Sequence, residues 1–283
     1  MKKFWIAGAG ALVVVVVGLA IVMGPGIARF MQVTTVNVDP DMKIFLGGGG
    51  NSVVLKSPDK RQVLIVDTKM PNTVKPLKRY VDSLGPDVQV TIINTHYHRD
   101  HTGGNEAFPR ATVIAGDYSE EFWNQEVQSG RDERVLQGVE RELVIGPETV
   151  KILNIGQAHT THDMVVYFVN RKLLVTGDLL FHEIHPVLFQ KSGADTAKWE
   201  QALGDLGQTF DAVTVVPGHG SITNQAGLAA ARDYFASIRA AVGDPDKLEA
   251  LRQQYSRYVS RPISGFDNTV RFIEAEHKRA SNP

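Results

Sequence analysis

Hydrophobic residues in this chain occur as short runs that alternate with stretches of helical periodicity. Runs rich in Val, Ile and Leu predict buried strands at residues 63–66, 90–93, 143–153, 164–169, 173–176 and 213–216. Apolar residues spaced for one helix face predict helices near residues 74–84, 119–135, 197–206 and 225–241, with further helices over 247–278. This alternation predicts an α/β fold.

The N-terminus has a different pattern. Residues 4–23 contain no charged residue and follow Lys2 and Lys3. A stretch of about twenty apolar residues is long enough to span a bilayer, and the preceding lysines predict a cytoplasmic N-terminus with the remaining chain on the other side. We therefore expect residues 1–23 to be a membrane anchor and residues 24–36 a linker, with an extracytoplasmic, periplasmic body. A cleaved signal peptide is the alternative, although residues 24–29 resemble a cleavage site poorly.

Composition narrows the classes of partner. Without Lys2, Lys3 and Arg29, 27 basic residues face 31 acidic ones, which gives a net charge of about −4 with neutral histidines. A nucleic-acid partner is therefore not expected. The chain has no cysteine, so neither disulfides nor a thiolate metal ligand can form.

Potential metal ligands are most densely clustered in the hexad His96-Tyr97-His98-Arg99-Asp100-His101, directly after the predicted strand 90–93. His96 and His98 are two residues apart, so an extended chain directs both rings to the same side. Imidazole and carboxylate groups in this density suit zinc or iron, and their number suits a pair of metals better than one. A polar loop that merely caps the strand is the alternative, and the clustering argues against it.

The hexad has the form HxHxDH and resembles the signature of the metallo-β-lactamase superfamily, a resemblance that extends over most of the chain after the anchor. The segments around His159, Asp178 and His219 resemble the later motifs of that family, and residues 63–68 resemble the first. The resemblance implies a four-layer αββα sandwich. We expect a catalytic domain over residues 37–241 and a C-terminal helical extension over residues 242–283.

The resemblance also implies a ligand set. One metal would bind His96, His98 and His159, the other Asp100, His101 and His219, and Asp178 would bridge the two. Asp67 would support the site without binding metal. Two Zn²⁺ ions are expected, with iron or manganese as alternatives. Such a pair lowers the pKa of a shared water, and the resulting hydroxide would attack a carbonyl next to Asp100 and Asp178.

Other features have two interpretations each. His162, His182 and His185 either line the pocket or are structural, whereas His277 is expected to be solvated. The apolar stretch 182–189 is a candidate pocket loop or a plain connection. The glycines 47–50 precede a strand-like stretch, so a turn close to the pocket is favoured over a phosphate-binding loop.

These observations predict a dinuclear zinc hydrolase of a small ester, lactone or related acyl substrate. A β-lactamase-like amide hydrolase, an iron-dependent redox protein and a metal-retaining binding protein of the same fold remain alternatives. A flavodiiron site would need a glutamate in place of His98. The oligomeric state is left open by the sequence.

Overall fold

The computed structural model describes residues 31–118 and 133–281. The predicted anchor, residues 1–23, and most of the predicted helical region 119–135 lie outside these residues. Within the described part of the chain, no helix is long and apolar enough to cross a membrane. The anchor therefore remains a prediction.

Two β-sheets form the centre of the protein. Seven strands follow one another in sequence order in the first sheet: β1 (Val33–Asn37), β2 (Met42–Gly47), β3 (Ser52–Lys56), β4 (Gln62–Val66), β5 (Gln89–Ile93), β6 (Thr112–Gly116) and β7 (Glu133–Val135). The second sheet has the order β12-β11-β10-β9-β8, and its strands are β8 (Glu140–Ile145), β9 (Glu148–Gly156), β10 (Asp163–Phe168), β11 (Leu173–Phe181) and β12 (Thr214–His219).

Six α-helices accompany the strands of the described chain. They are α1 (Lys75–Asp82), α2 (Arg99–Thr102), α3 (Thr196–Thr209), α4 (Gln225–Ala241), α5 (Pro245–Gln254) and α6 (Phe266–Ser281). The side chains of Asp195, Asn224 and Asp244 accept hydrogen bonds from the first turns of α3, α4 and α5. These caps explain why each helix begins where it does.

The core lies between the two sheets. Ile44, Leu64 and Ile93 of the first sheet pack with Ile152 and Val166 of the second, and all five are fully buried. Strand β9 alternates strictly between buried and partly exposed positions, whereas every residue of β10 and β11 is buried. The central strands of the second sheet are therefore covered on both faces, as their unbroken apolar runs predict.

Helices cover the outer faces of both sheets. Leu77 of α1 packs on the outer face of the first sheet. Trp199 of α3, Phe235 of α4 and Ile273 of α6 join the apolar cluster on the outer face of the second. The expected mixed α/β sandwich of two sheets with C-terminal helices is confirmed.

Three sequence predictions need correction. Residues 33–36, assigned to the linker, form β1 because they pair antiparallel with β2. Glu133–Val135, assigned to a helical region, is a strand that pairs with β6 and buries Val135 between the sheets. The single strand predicted over 143–153 is the β8–β9 hairpin, which turns at Gly146 with a φ of +57°.

Candidate active site

The hexad lies where the parallel strands β4 and β5 end. His96 and His98 follow β5, His98 has extended backbone, and α2 then begins at Arg99 and carries Asp100 and His101. The change from extended to helical backbone within six residues directs the four side chains to two neighbouring points. Parallel strands end at one edge of a sheet, which is where this fold class presents its chemistry.

The second sheet supplies the other three predicted ligands. His159 lies in the connection between β9 and β10, Asp178 lies within β11, and His219 ends β12. The pairing of β11 with β12 shifts on both sides of Gly177, which has a φ of +52°. This irregularity turns Asp178 toward the first sheet. Gly218 must lack a side chain, because a Cβ there would overlap the Asp178 carboxylate.

Three histidines and one carboxylate form the first potential metal site. His98 Nδ1 lies 3.1 Å from His96 Nε2 and 3.0 Å from His159 Nε2. Asp178 Oδ2 lies 3.4 Å from His159 Nε2 and 3.7 Å from His96 Nε2. Tetrahedral Zn²⁺ with ligand bonds of about 2.0–2.1 Å separates its ligand atoms by roughly 3.4 Å, close to these distances.

The second potential site shares Asp178 with the first. Its other members are Asp100, His101 and His219. Asp178 Oδ1 lies 3.0 Å from His101 Nε2 and 3.3 Å from His219 Nε2, while Asp100 Oδ2 lies 3.2 Å from His219 Nε2. The two carboxylate oxygens of Asp178 therefore face different sites, as a bridging ligand requires.

The hydrogen-bonding state of these atoms also fits metal ligands. His101 Nε2 and Asp178 Oδ1 are buried and have no hydrogen-bond partner of acceptable geometry. Buried polar atoms are rarely left unsatisfied, and a cation would satisfy both. The residues present therefore fit a pair of divalent metals, with nitrogen and oxygen donors of the kind zinc and iron prefer.

Protonation states agree with this arrangement in the first site. Burial lowers the pKa of His159 to about 3, and burial together with the neighbouring His101 holds the pKa of His96 well below its usual value. Burial acts against ionisation of Asp178, but His219 and His101 outweigh it and hold its pKa well below the usual range. Neutral imidazoles and an ionised carboxylate are the forms that bind metal.

Asp67 orients the ligands from behind. It is fully buried, and its Oδ2 accepts a 2.7 Å hydrogen bond from His101 Nδ1 and a 2.8 Å bond from Thr95 Oγ1. Its Oδ1 accepts from the Thr95 backbone N–H at 2.8 Å. Thr95 Oγ1 in turn lies 3.2 Å from His96 Nδ1. Asp67 therefore lies behind His101 and Thr95, and its supporting role remains a prediction.

The glycines 47–50 form the wall beside the second site. A Cβ at Gly50 would overlap the His101 ring, and one at Gly49 would come within 2.9 Å of Asp100. These glycines lead into β3 rather than a helix, which confirms the predicted close turn. The buried Lys69 holds this turn, because its Nζ donates to the carbonyl oxygens of Phe45, Gly47 and Gly50 at 2.7–2.8 Å.

Aromatic rings border the ligands. Phe181 stacks on His219 with ring centres 5.0 Å apart, and Trp199 lies 5.0 Å from His159. Phe189 lies 6.0 Å from His98 and keeps 41% of its surface exposed. Phe189 is therefore an apolar side chain that borders the first site and also faces solvent.

The side chains of the other histidines lie outside the two ligand groups. His162 contacts the Tyr118 ring, and His182 Nδ1 lies 2.9 Å from Ser221 Oγ. His185 is buried and its Nδ1 lies 2.8 Å from the Tyr234 hydroxyl. None of these three joins either ligand group in the described structure. His277 is exposed on α6, as predicted.

The pocket-loop prediction for residues 182–189 is partly met. Ile184 and Val187 are buried in the outer apolar cluster, as in a plain connection, whereas Phe189 reaches the site. Two site residues were not predicted. Ser192 Oγ lies 3.0 Å from His98 Nε2, and Arg261 Nη2 lies 3.5 Å from His219 Nδ1. Neither belongs to a motif, so only the tertiary structure reveals them.

Comparison with known proteins agrees with this geometry. The mitochondrial hydroxyacylglutathione hydrolase of Saccharomyces cerevisiae is 26% identical over 241 residues, which is 78% of each chain. The hydroxyacylglutathione hydrolase of a Synechococcus strain is 33% identical over 139 residues, 45% of this chain and 48% of that protein. The chain thus spans about half the length of the Synechococcus relative.

Solved structures show the same fold. A metallo-beta-lactamase from Pontibacter korlensis superposes with a TM-score of 0.62 at 22% identity, covering 72% of this chain and 99% of that one. A stereoselective inverting sec-alkylsulfatase from Pseudomonas sp. gives 0.66 at 14% identity, covering 87% of this chain and 50% of that one. The family model of the metallo-beta-lactamase superfamily matches residues 46–219, more than half of the chain. The chain therefore belongs to the metallo-β-lactamase superfamily.

Proposed function

We propose that this protein is a dinuclear zinc hydrolase of small acyl substrates: an ester, a lactone or a thioester. Membership of the superfamily and the hydrolase relatives support a metal-dependent hydrolase. The observation that supports two metals is Asp178, whose two oxygens face two separate ligand groups. The thioester joins the candidates because the Saccharomyces cerevisiae relative, which matches 78% of this chain, is named a hydroxyacylglutathione hydrolase.

The two carboxylate ligands have different roles in the proposed reaction. When bound, the metals supply an activated water and polarise the scissile carbonyl. Asp178 is almost fully buried and holds its position between the two groups, whereas the Asp100 side chain is 23% exposed. Asp100 is therefore the ligand carboxylate within reach of a substrate. We assign it the additional role of orienting the attacking water or accepting its proton.

Two further groups adjust the first site for a substrate. Ser192 Oγ fixes the ring of His98 through the nitrogen that does not face the ligand group. Phe189 offers an exposed apolar surface next to the same ring. An acyl group with an apolar portion would bury part of this surface, at about 25 cal/mol for each Å² removed from water.

A substrate screen of the zinc-loaded protein tests the proposal. Aryl esters, lactones, thioesters, β-lactams, sulfate esters and phosphodiesters would be compared at equal concentration. We expect a carbonyl substrate to be turned over fastest, with activity lost on chelation and restored by zinc. A preference for sulfate esters or phosphodiesters, or activity that survives metal removal, would overturn the proposal.

Elemental analysis tests the metal assignment separately. We expect two zinc equivalents per chain, because seven side chains form two neighbouring groups and Asp178 faces both of them. Iron as the resident metal would favour the redox alternative, and a single equivalent after zinc supplementation would argue against the dinuclear centre. Two metals without turnover of any compound would favour the binding-protein alternative.

We also propose that residues 1–23 anchor the protein with its active site outside the cytoplasm. Twenty uncharged residues after Lys2 and Lys3 support this location. A small-molecule substrate would then be met in the extracytoplasmic compartment.

A further inference from the structure

The histidine ligands of the two sheets differ in what surrounds their second ring nitrogen. On the first sheet, Asp67 accepts hydrogen bonds from the His101 ring and from Thr95. On the second sheet, His159 presents Nε2 to the first ligand group, but its Nδ1 is buried and has no hydrogen-bond partner in the described structure. A histidine that binds metal is normally oriented by an acceptor at its other nitrogen. The orientation of His159 therefore depends on a different kind of contact.

Trp199 packs its indole against His159. This tryptophan ends the first turn of α3, and only 1% of its surface is exposed. The ring centres lie 5.0 Å apart with an angle of 67° between the planes, whereas Phe181 lies farther from His159, at 5.9 Å. Aromatic rings favour such an edge-to-face arrangement. Because protein interiors are close-packed, the imidazole cannot turn without displacing the indole.

The same indole is fixed to strand β11 next to Asp178. Trp199 Nε1 donates a 2.9 Å hydrogen bond to the carbonyl oxygen of Leu179. Leu179 lies between Gly177 and Phe181, where the pairing of β11 with β12 is interrupted. A buried backbone carbonyl in such an interruption needs a donor from elsewhere. The indole N–H supplies one, and thereby holds the residue that directly follows Asp178.

The start of α3 is fixed to the segment that carries His159. The backbone N–H of Asp195 donates to the carbonyl oxygen of Ala158 at 2.8 Å, and the Asp195 side chain caps the helix. The backbone N–H of Trp199 in turn donates to the carbonyl oxygen of Asp195 at 2.9 Å. Ala158 directly precedes His159 in the sequence. The indole and the imidazole are therefore held at a fixed separation by the backbone as well as by packing.

We propose that Trp199 is a positioning residue for the first metal site, with its ring fixing His159 and its N–H fixing the backbone beside Asp178. This inference rests on the metal centre of the proposed function. His159 and Asp178 are the two members of the first ligand group that the second sheet supplies. One ring contact and one hydrogen bond would thus do for the second sheet what Asp67 is predicted to do for the first.

Three variants separate the ring contact from the hydrogen bond. Trp199→Phe keeps an aromatic ring and removes the donor to Leu179, whereas Trp199→Leu removes both. Phe235→Leu is the matched control, because Phe235 is buried in the same apolar cluster with its ring centre 5.0 Å from that of Trp199. In the described structure, its ring contacts are with Trp199 and Tyr234 and not with a ligand.

Zinc competition against a chromogenic chelator measures the first effect. We expect Trp199→Leu to weaken zinc binding about 10- to 100-fold, the range typical of lost supporting partners. Trp199→Phe should lose less, because the ring contact remains. Phe235→Leu should keep the zinc affinity of the unsubstituted protein, even where its melting temperature falls as far as that of Trp199→Leu.

Nuclear magnetic resonance of the histidine rings provides a readout that loss of stability alone would not change. In the ¹⁵N-labelled, zinc-loaded protein, the ring signals of His159 and His101 would be assigned by their absence in His159→Gln and His101→Gln. We expect both Trp199 variants to shift the His159 signals more than those of His101, whose ring bonds to Asp67. Where Trp199→Leu fails to fold, Trp199→Phe decides the question.

The outcomes separate this inference from the proposed function. Unchanged zinc affinity in Trp199→Leu, an equal loss in Phe235→Leu, or unshifted His159 signals would overturn the inference. Two bound zinc ions whose affinity depends on Trp199, without turnover of any acyl compound, would refute the hydrolase proposal and support the positioning role. Absence of zinc binding by the unsubstituted protein would overturn both.

Discussion

Asp67→Asn tests the hydrogen bonds that orient the ligand His101 without changing His101 itself. Asp67 has a φ of +59°, and asparagine tolerates this left-handed region better than most side chains. The substitution keeps the shape of the side chain and removes one acceptor oxygen. An amide in either orientation places its NH₂ group against a donor, either the His101 and Thr95 side chains or the Thr95 backbone N–H.

The size of the effect follows from these three hydrogen bonds. A buried donor that loses its partner costs about 1–3 kcal/mol of folding free energy. For a domain of this size, each 1 kcal/mol lowers the melting temperature by roughly 2–4 °C. A released His101 ring also binds metal less well, and loss of such a supporting partner typically weakens metal affinity about 10- to 100-fold.

Scanning calorimetry of the metal-free protein and zinc competition against a chromogenic chelator would measure the two effects. Asp205→Asn is the control, because Asp205 is exposed on α3 and far in sequence from every ligand. It should change neither quantity. Zinc affinity of Asp67→Asn within about twofold of the unsubstituted protein would refute the argument that this hydrogen bond orients His101.

Three further predictions follow. Asp178→Ala should abolish hydrolysis and reduce zinc content more than Asp67→Ala does, because it leaves two cations without their shared carboxylate. Full activity with two zinc equivalents would contradict the bridging position of Asp178. Gly50→Ala should destabilise the fold by about 1–3 kcal/mol and lower zinc affinity, because its Cβ would overlap the His101 ring. Gly204→Ala should instead stabilise the fold by about 0.5–1 kcal/mol in calorimetry, because its Cβ fits within α3. Deletion of residues 1–23 should release the protein from membranes with unchanged kinetics, and a C-terminal reporter active only in the cytoplasm would contradict the predicted orientation.

The ligands that lie close together in the sequence could be predicted from spacing, whereas those that lie far apart could not. His96, His98, Asp100 and His101 lie within one hexad, so spacing alone predicted their convergence. His159, Asp178 and His219 lie far apart in the sequence and on the other sheet, so only the resemblance to a family could connect them. The approach of Asp178 and His219 depends on the pairing of β11 with β12, and that of His159 on the β9–β10 connection, and neither leaves a periodic signal in the sequence.

The fold shows the same dependence. The apolar runs at residues 164–169 and 173–176 were predicted as strands, and β10 and the first part of β11 form there because both faces of these strands are buried. Strand β1 was missed because four of its five residues are exposed, and β7 because it has only three residues. Pairing with a neighbour makes these segments strands, and such pairing is a tertiary property.

The glycine turn beside the second site was recognisable in the sequence, but the lysine that holds it in place was not. The four glycines 47–50 indicate close backbone approach, and the ring of His101 occupies the space that a side chain at Gly50 would need. The carbonyl groups of such a turn still require donors, since buried backbone oxygens without partners are costly. Lys69 supplies all three hydrogens of its ammonium group, although burial lowers its pKa to about 7 against the opposing pull of Asp67 and Asp100. Three carbonyl acceptors favour the charged form, so we conclude that Lys69 is an ammonium in the folded protein and fixes the wall on which His101 rests.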